Sequence, residues 1–167
     1  VQAAPIKEEH EWLANFRAVD RPPACWTAAW QHHDAKFRFW MLAPLDRLLV
    51  VDAPGWRSYK GDQLHAPPIT QLLAERRGKP GLASVYTAVL EPYQGDKPPV
   101  RKVELLSADP DAPEAVAVAV HRDGAVDYIV SALDDAPRTY GPVRLAGRFA
   151  FATLDGNGRL QRALLLE

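Results

Sequence analysis

Ala115-Val116-Ala117-Val118-Ala119-Val120 is the stretch whose reading decides the fold. Small and β-branched residues alternate with a period of two, which suits a strand covered on both faces and gives no helical stripe. Asp123-Gly124 follows, a pair that supplies positive φ between hairpin strands, and then Val126 to Ala132 reads as the partner.

The same period runs outward in both directions. Upstream, Trp26, Ala28 and Trp30 alternate with Thr27 and Ala29, and Phe37, Phe39 and Met41 alternate with Arg38 and, less cleanly, Trp40. Between them Gln31 to Lys36 reads as a hairpin loop. Arg47 to Asp52 is a short apolar run bounded by turn residues. Further strands are expected at Ile69 to Ala74, Ser84 to Leu90, Val100 to Leu106, Val143 to Leu154 and Leu160 to Leu166. Gly78-Lys79-Pro80-Gly81 and Asp155-Gly156-Asn157-Gly158 supply the remaining turn chemistry. Many short strands at this spacing predict an all-β fold of sandwich or barrel type and exclude a βαβ architecture. The chain is therefore read as an antiparallel β-sandwich of two packed sheets over residues 22–167. Residues 1–21 form a leader or linker end. Within it, Glu8 to Arg17 places Trp12, Leu13 and Phe16 on one stripe and predicts a short helix stopped by Asp20-Arg21-Pro22-Pro23.

Composition narrows the function classes. With 167 residues the chain is long enough to bury a core without disulfides or metal. Twenty basic residues against 21 acidic ones give a net charge of -1, so bulk charge points to neither nucleic acid nor an anionic membrane. No apolar run is long enough to span a bilayer, and Val1-Gln2-Ala3-Ala4-Pro5 does not begin a signal peptide. The single cysteine, Cys25, excludes an internal disulfide framework and a thiolate zinc site, and it is read as an inert buried thiol.

Four groups of residues bear on chemistry. His32-His33-Asp34 holds potential metal ligands, but successive residues of an extended chain point in opposite directions, so a solvated hairpin tip is preferred and no metal site is assigned. Trp56, Arg57, Tyr59, Lys60 and His65 lie in a long loop between Pro54-Gly55 and Pro67-Pro68. Their aromatic and cationic groups suit the ring faces and carboxylates of an acidic sugar, and they are the candidate substrate-binding residues. The alternative for that loop is that Trp56 and Tyr59 cap the core while Lys60 faces water. Glu91, Glu104 and Asp127 on successive strands raise the idea of a carboxylate pair of glycosidase type. Against it, Glu91 before Pro92 can instead satisfy backbone donors. Nucleophile-elbow, P-loop and dinucleotide-binding patterns are absent, and Asp155-Gly156-Asn157-Gly158 lacks the ligand spacing of a calcium loop.

Ala83 to Tyr93 (ASVYTAVLEPY) followed by Val100 to Leu106 (VRKVELL) resembles a stretch in the C-terminal region of heparinase II/III-like polysaccharide lyases. Trp26 to Trp30, Phe37 to Pro44 and Asp52 to Gly55 are similar to the strands that precede it there, and Asp127 to Asp134 (DYIVSALD) to the strand that follows. The resemblance implies a parent enzyme with an α/α toroid, a central β-sandwich and a smaller C-terminal sandwich, cleaving uronate-containing polysaccharides by β-elimination. In that family the catalytic His and Tyr lie in or near the toroid, and no position here matches them or the family's metal ligands. The resemblance thus implies a non-catalytic β-sandwich portion, inactive alone, with no cofactor of its own. Its partners would be an acidic polysaccharide and the toroid of the same parent, in a periplasmic or secreted setting. The alternative is a free-standing carbohydrate-binding module, motivated by five Trp and five Tyr, which a flat row of exposed aromatics would favour.

Overall fold

A computed structural model of the chain describes residues 2–8, 12–55, 67–107 and 114–166. The regular structure among them is antiparallel β throughout, in several sheets, and no helix occurs among the described residues. The strands belong to two compact units, Val1–Ala24 with Pro44–Leu82, and Cys25–Ala43 with Ala83–Glu167.

In the first unit, β1 (Ala4–Pro5), β2 (Ala14–Asp20), β5 (Arg47–Ala53) and β6 (Ile69–Glu75) form a four-stranded sheet in the order β1-β2-β5-β6. The helix expected over Glu8 to Arg17 is not there: Ala14 to Arg17 belong to β2, and residues 9–11 lie outside the described residues. Pairing explains the difference. Phe16 and Ala18 alternate inward along β2 and meet Leu49 and Val51 of β5 in one buried cluster, a gain that local helical spacing cannot match. A bulge between Ala14 and Arg17 accommodates the change of course, with Asn15 at φ 52, a conformation that Asn tolerates well. A stretch expected as a leader therefore supplies an inner strand.

The second unit holds a three-stranded sheet, β3 (Cys25–His32), β4 (Ala35–Leu42) and β7 (Ala88–Gln94), in the order β3-β4-β7. It also holds a five-stranded sheet of β8 (Val100–Leu105), β9 (Ala115–Arg122), β10 (Ala125–Ala132), β13 (Phe149–Asp155) and β14 (Leu160–Leu166), in the order β14-β13-β10-β9-β8. A hairpin of β11 (Arg138–Tyr140) and β12 (Val143–Leu145) completes it. The β3–β4 and β9–β10 hairpins turn in two residues each, at His33-Asp34 and Asp123-Gly124, with positive φ at His33 and Gly124.

β9 is covered on both faces, as its alternation predicts. Val118 and Val120 join Trp40 and Leu42 of β4 and Val100 and Val103 of β8 in one cluster. On the other face Ala117 packs with Val130, Leu145 and Ala150, and the β11–β12 hairpin adds Tyr140 and Val143. Small residues on that side let the hairpin approach closely, while the branched side chains fill the space toward the three-stranded sheet. The imperfect alternation of β4 has the same origin, because Trp40 faces the shared cluster while Phe37, Phe39 and Met41 point to the opposite face.

Three sequence expectations shift. Val143 to Leu154 is two strands, separated at Ala146-Gly147-Arg148, where Gly147 takes φ 135. β7 begins at Ala88, later than Ser84. Gly78 to Gly81 turns the chain, with Leu82 N–H donating to the Lys79 carbonyl, but the strands on either side are not paired.

Gly147 provides a test of the β12–β13 break. A Cβ there would stand 2.9 Å from Leu165 Cδ1 and 3.0 Å from the Leu166 carbonyl oxygen, at a φ that side chains avoid. Gly147→Ala is expected to destabilise the chain by about 2 kcal/mol in denaturant unfolding. Gly156→Ala, at ordinary φ with its nearest neighbour at 3.7 Å, should leave the midpoint nearly unchanged. Equal midpoints for both variants would contradict the assignment.

Candidate functional site

The substrate-binding candidates Trp56, Arg57, Tyr59, Lys60 and His65 lie outside the described residues. The described residues do place the other groups singled out in the sequence.

Glu91 is the one buried carboxylate among them, with a side chain 3% exposed. Its position follows from register: on β7 it lies directly opposite Arg38 of β4, and both side chains point toward the five-stranded sheet. Arg38 Nε donates to Glu91 Oε2 at 2.7 Å, and Trp40 Nε1 donates to the same oxygen at 3.1 Å. The backbone N–H of Val100, first residue of β8, donates to Oε1 at 2.7 Å. Arg38 Nη2 in turn donates to the Val100 carbonyl at 2.5 Å, and its guanidinium lies 4.4 Å from the centre of the Trp40 ring. Burial by itself would raise the Glu91 pKa. The hydrogen bonds from Arg38, Val100 and Trp40 outweigh it and hold the carboxyl below the ordinary value.

The carboxylate pair considered from sequence is not assembled. Glu104 and Asp127 project from opposite faces of the five-stranded sheet, since Glu104 lies opposite Ala119 and Asp127 opposite Val120. Each has its own partners: Lys102 Nζ and His121 Nε2 for Glu104, Arg122 and Thr153 Oγ1 for Asp127. Both pKa values are lowered. The Lys102 hydrogen bond leads for Glu104. For Asp127, burial raises the value and is outweighed by the bonds from Arg122 and Thr153. A general acid needs the opposite shift.

At the β3–β4 tip, His32 and His33 stand with ring centroids 4.3 Å apart, edge to face. The expectation that consecutive residues diverge does not hold here, because His33 has left the extended region. Even so, no group of three or more His, Cys, Asp or Glu is placed to hold a metal ion among the described residues. Cys25, expected as buried, is exposed at the start of β3.

Aromatic side chains gather on the outer face of the three-stranded sheet. Trp26 packs against Phe39 and Trp30 against Phe37, with centroids 5.6 and 5.7 Å apart and planes tilted by 46° and 47°. Trp26 is buried and the other three are half-buried. Tilted, mutually packed rings are a hydrophobic surface layer and not a flat stacking platform.

Comparison with protein-family models, with curated proteins and with solved structures finds no match to this chain.

The Glu91 cluster has a pH signature. A folded-state pKa below the unfolded one contributes stability that is fully present above the unfolded value and is lost as pH falls through the folded value. Glu91→Gln is therefore expected to cost about 3 kcal/mol near neutrality, by leaving Arg38 without its counter-charge. It should also flatten the acid limb of the stability curve below the ordinary glutamate value of 4.5. Urea unfolding across pH reads both effects. An unchanged acid limb would remove Glu91 as the linked group.

Proposed function

We infer that the chain is a non-catalytic β-sandwich portion of a heparinase II/III-like polysaccharide lyase, a family whose members cleave uronate-containing polysaccharides by β-elimination. The observation that carries this reading is where the resembling stretches meet. Arg38 and Trp40 of the first, Glu91 of the second, Val100 and Val103 of the third and Ile129 of the last all contribute to one internal cluster and its hydrogen bonds. Residues that carry the likeness are thus the ones that join two sheets, as expected if the resemblance is one of architecture. The finer architecture proposed is a two-layer sandwich, formed by the three-stranded and five-stranded sheets of the second unit around that cluster.

Two further features support a non-catalytic role. Glu91, Glu104 and Asp127 are each engaged by cations or backbone donors and held ionised, which suits structural carboxylates and not a proton donor. Leu160, Leu164, Leu165 and Leu166 of the edge strand β14 are each about half exposed or more, the kind of surface that a neighbouring domain covers. In this reading the neighbour is the toroid of the same parent, and the setting is periplasmic or secreted. The free-standing carbohydrate-binding alternative is less well supported, since the aromatic row on the three-stranded sheet is tilted and half-buried.

A lyase assay on the purified chain tests the central claim. With a panel of uronate polysaccharides, no rise in the ultraviolet absorbance of the unsaturated product is expected, under conditions where a complete heparinase II/III-like enzyme gives one. A rise that tracks the chain through purification would overturn the non-catalytic assignment.

A further inference from the structure

On the face of the five-stranded sheet that carries Val118 and Ile129, the lining changes character toward β14. Register places Asp127 of β10 opposite Thr153 of β13, and Thr153 opposite Arg162 of β14, so the three side chains share that face with Arg122 and Phe151. The bulge between Thr153 and Leu154 leaves Gln161 as the additional residue of β14. Together these six residues line a hollow of about 500 Å³, within the range of small-molecule sites.

The chemistry of the hollow is specific. Arg122 holds Asp127 with two parallel hydrogen bonds, Nε to Oδ2 at 2.7 Å and Nη2 to Oδ1 at 2.8 Å, and Thr153 Oγ1 donates to Oδ1 at 2.7 Å. The Asp127 carboxylate is thereby used, while Arg122 Nη1 is not committed to it. Arg162 is exposed, and among the described residues it makes no hydrogen bond or ion pair. Two guanidinium groups against one carboxylate leave a net charge of +1, the complement of a single carboxylate. Gln161 donates its Nε2 to Asp155, which leaves its carbonyl oxygen to accept from a hydroxyl, and Phe151, half-buried, offers an apolar edge or face to a ring.

We propose that this hollow is a subsite for one hexuronate residue of an acidic oligosaccharide, with Arg162 as its carboxylate anchor. The carboxylate pairs with Arg162, assisted by Arg122. The ring packs on Phe151, and a hydroxyl donates to Gln161. The choice of a uronate rests on the lyase reading, whereas the anchor is fixed by the geometry.

The test is calorimetric and NMR titration of the complete chain with a hexuronate tetrasaccharide and with its carboxyl-reduced, neutral counterpart. The expected result is binding of the acidic form, with shifts in the amides of residues 151–153 and 161–162. Arg162→Gln should weaken that binding about tenfold or more, since one charge-assisted contact is lost. Arg162 is exposed, so this variant should keep the parent's circular dichroism and melting profile. Arg144→Gln, on β12 over the opposite face, should bind as the parent does. Absence of binding, equal binding of the neutral sugar, or an Arg162→Gln affinity within about twofold of the parent would each overturn the subsite. None of these outcomes bears on the non-catalytic assignment, which is read by turnover.

Discussion

The second unit depends on how the first residue of β8 is held. Val100 starts an edge strand at a bulge, where the register against β9 slips between Val100 and Lys102. A backbone N–H and carbonyl at such a point have no regular ladder partners, and leaving either buried and unpaired costs on the order of 1–3 kcal/mol. Both are taken up by side chains of the other sheet, the N–H by Glu91 and the carbonyl by Arg38. The chain crosses from β7 to β8 over Gly95 to Pro99, so this clamp fixes where one sheet ends and the next begins. An ion pair taken out of water is a weak source of net stability compared with apolar packing of the same volume. Its contribution here is register: only one residue of β8 can meet both groups at once, and a slip by one would also turn Val100 and Val103 out of the shared cluster.

The same economy of space governs the five-stranded sheet. Branched side chains of β9 fill the side toward the three-stranded sheet, and alanines on the other side admit the β11–β12 hairpin. Coverage by the smaller sheet is incomplete, because three strands cannot cover five. Toward β14 the uncovered side becomes polar, with Asp127, Thr153 and Arg162 in successive register positions. An uncovered apolar face there would associate; a hydrogen-bonded polar one can remain in water.

Sequence reading recovered the strands whose period of two reflects a face packed on a core: β3, β4, β5, β6, β8, β9, β10 and β14 lie within a few residues of expectation. It failed where a non-local partner decides. Phe16 has helical spacing from Trp12 and Leu13, but the pairing of β2 with β5 is visible only in three dimensions. The β11–β12 hairpin is short and its only signal is Gly141 with Pro142, while Gly147 inside an otherwise continuous apolar stretch was the sign that Val143 to Leu154 is broken. Glu91 was legible in part, because a carboxylate beside a proline in a strand asks for donors. That the donor would come from the next sheet was not. Arg162 drew no attention at all, since a lone arginine in a polar-apolar strand carries no motif; only register sets it beside Asp127.

That last contrast separates two kinds of charge in this chain. Most of its ionic groups close on themselves: Arg101 with Asp123, Arg138 with Asp134, Lys36 with Asp96, each an exposed pair worth little to stability and satisfied without a ligand. Arg38 and Glu91 close on each other and on the backbone, which makes them architectural. In the hollow on β13 and β14 the count does not close. Asp127 is already held by Arg122 and Thr153, and bringing a second guanidinium to the same recess adds repulsion that no described side chain relieves. A fold that otherwise neutralises its charges pair by pair leaves one cation over at one concave place, and an anion from outside is the group that would complete it.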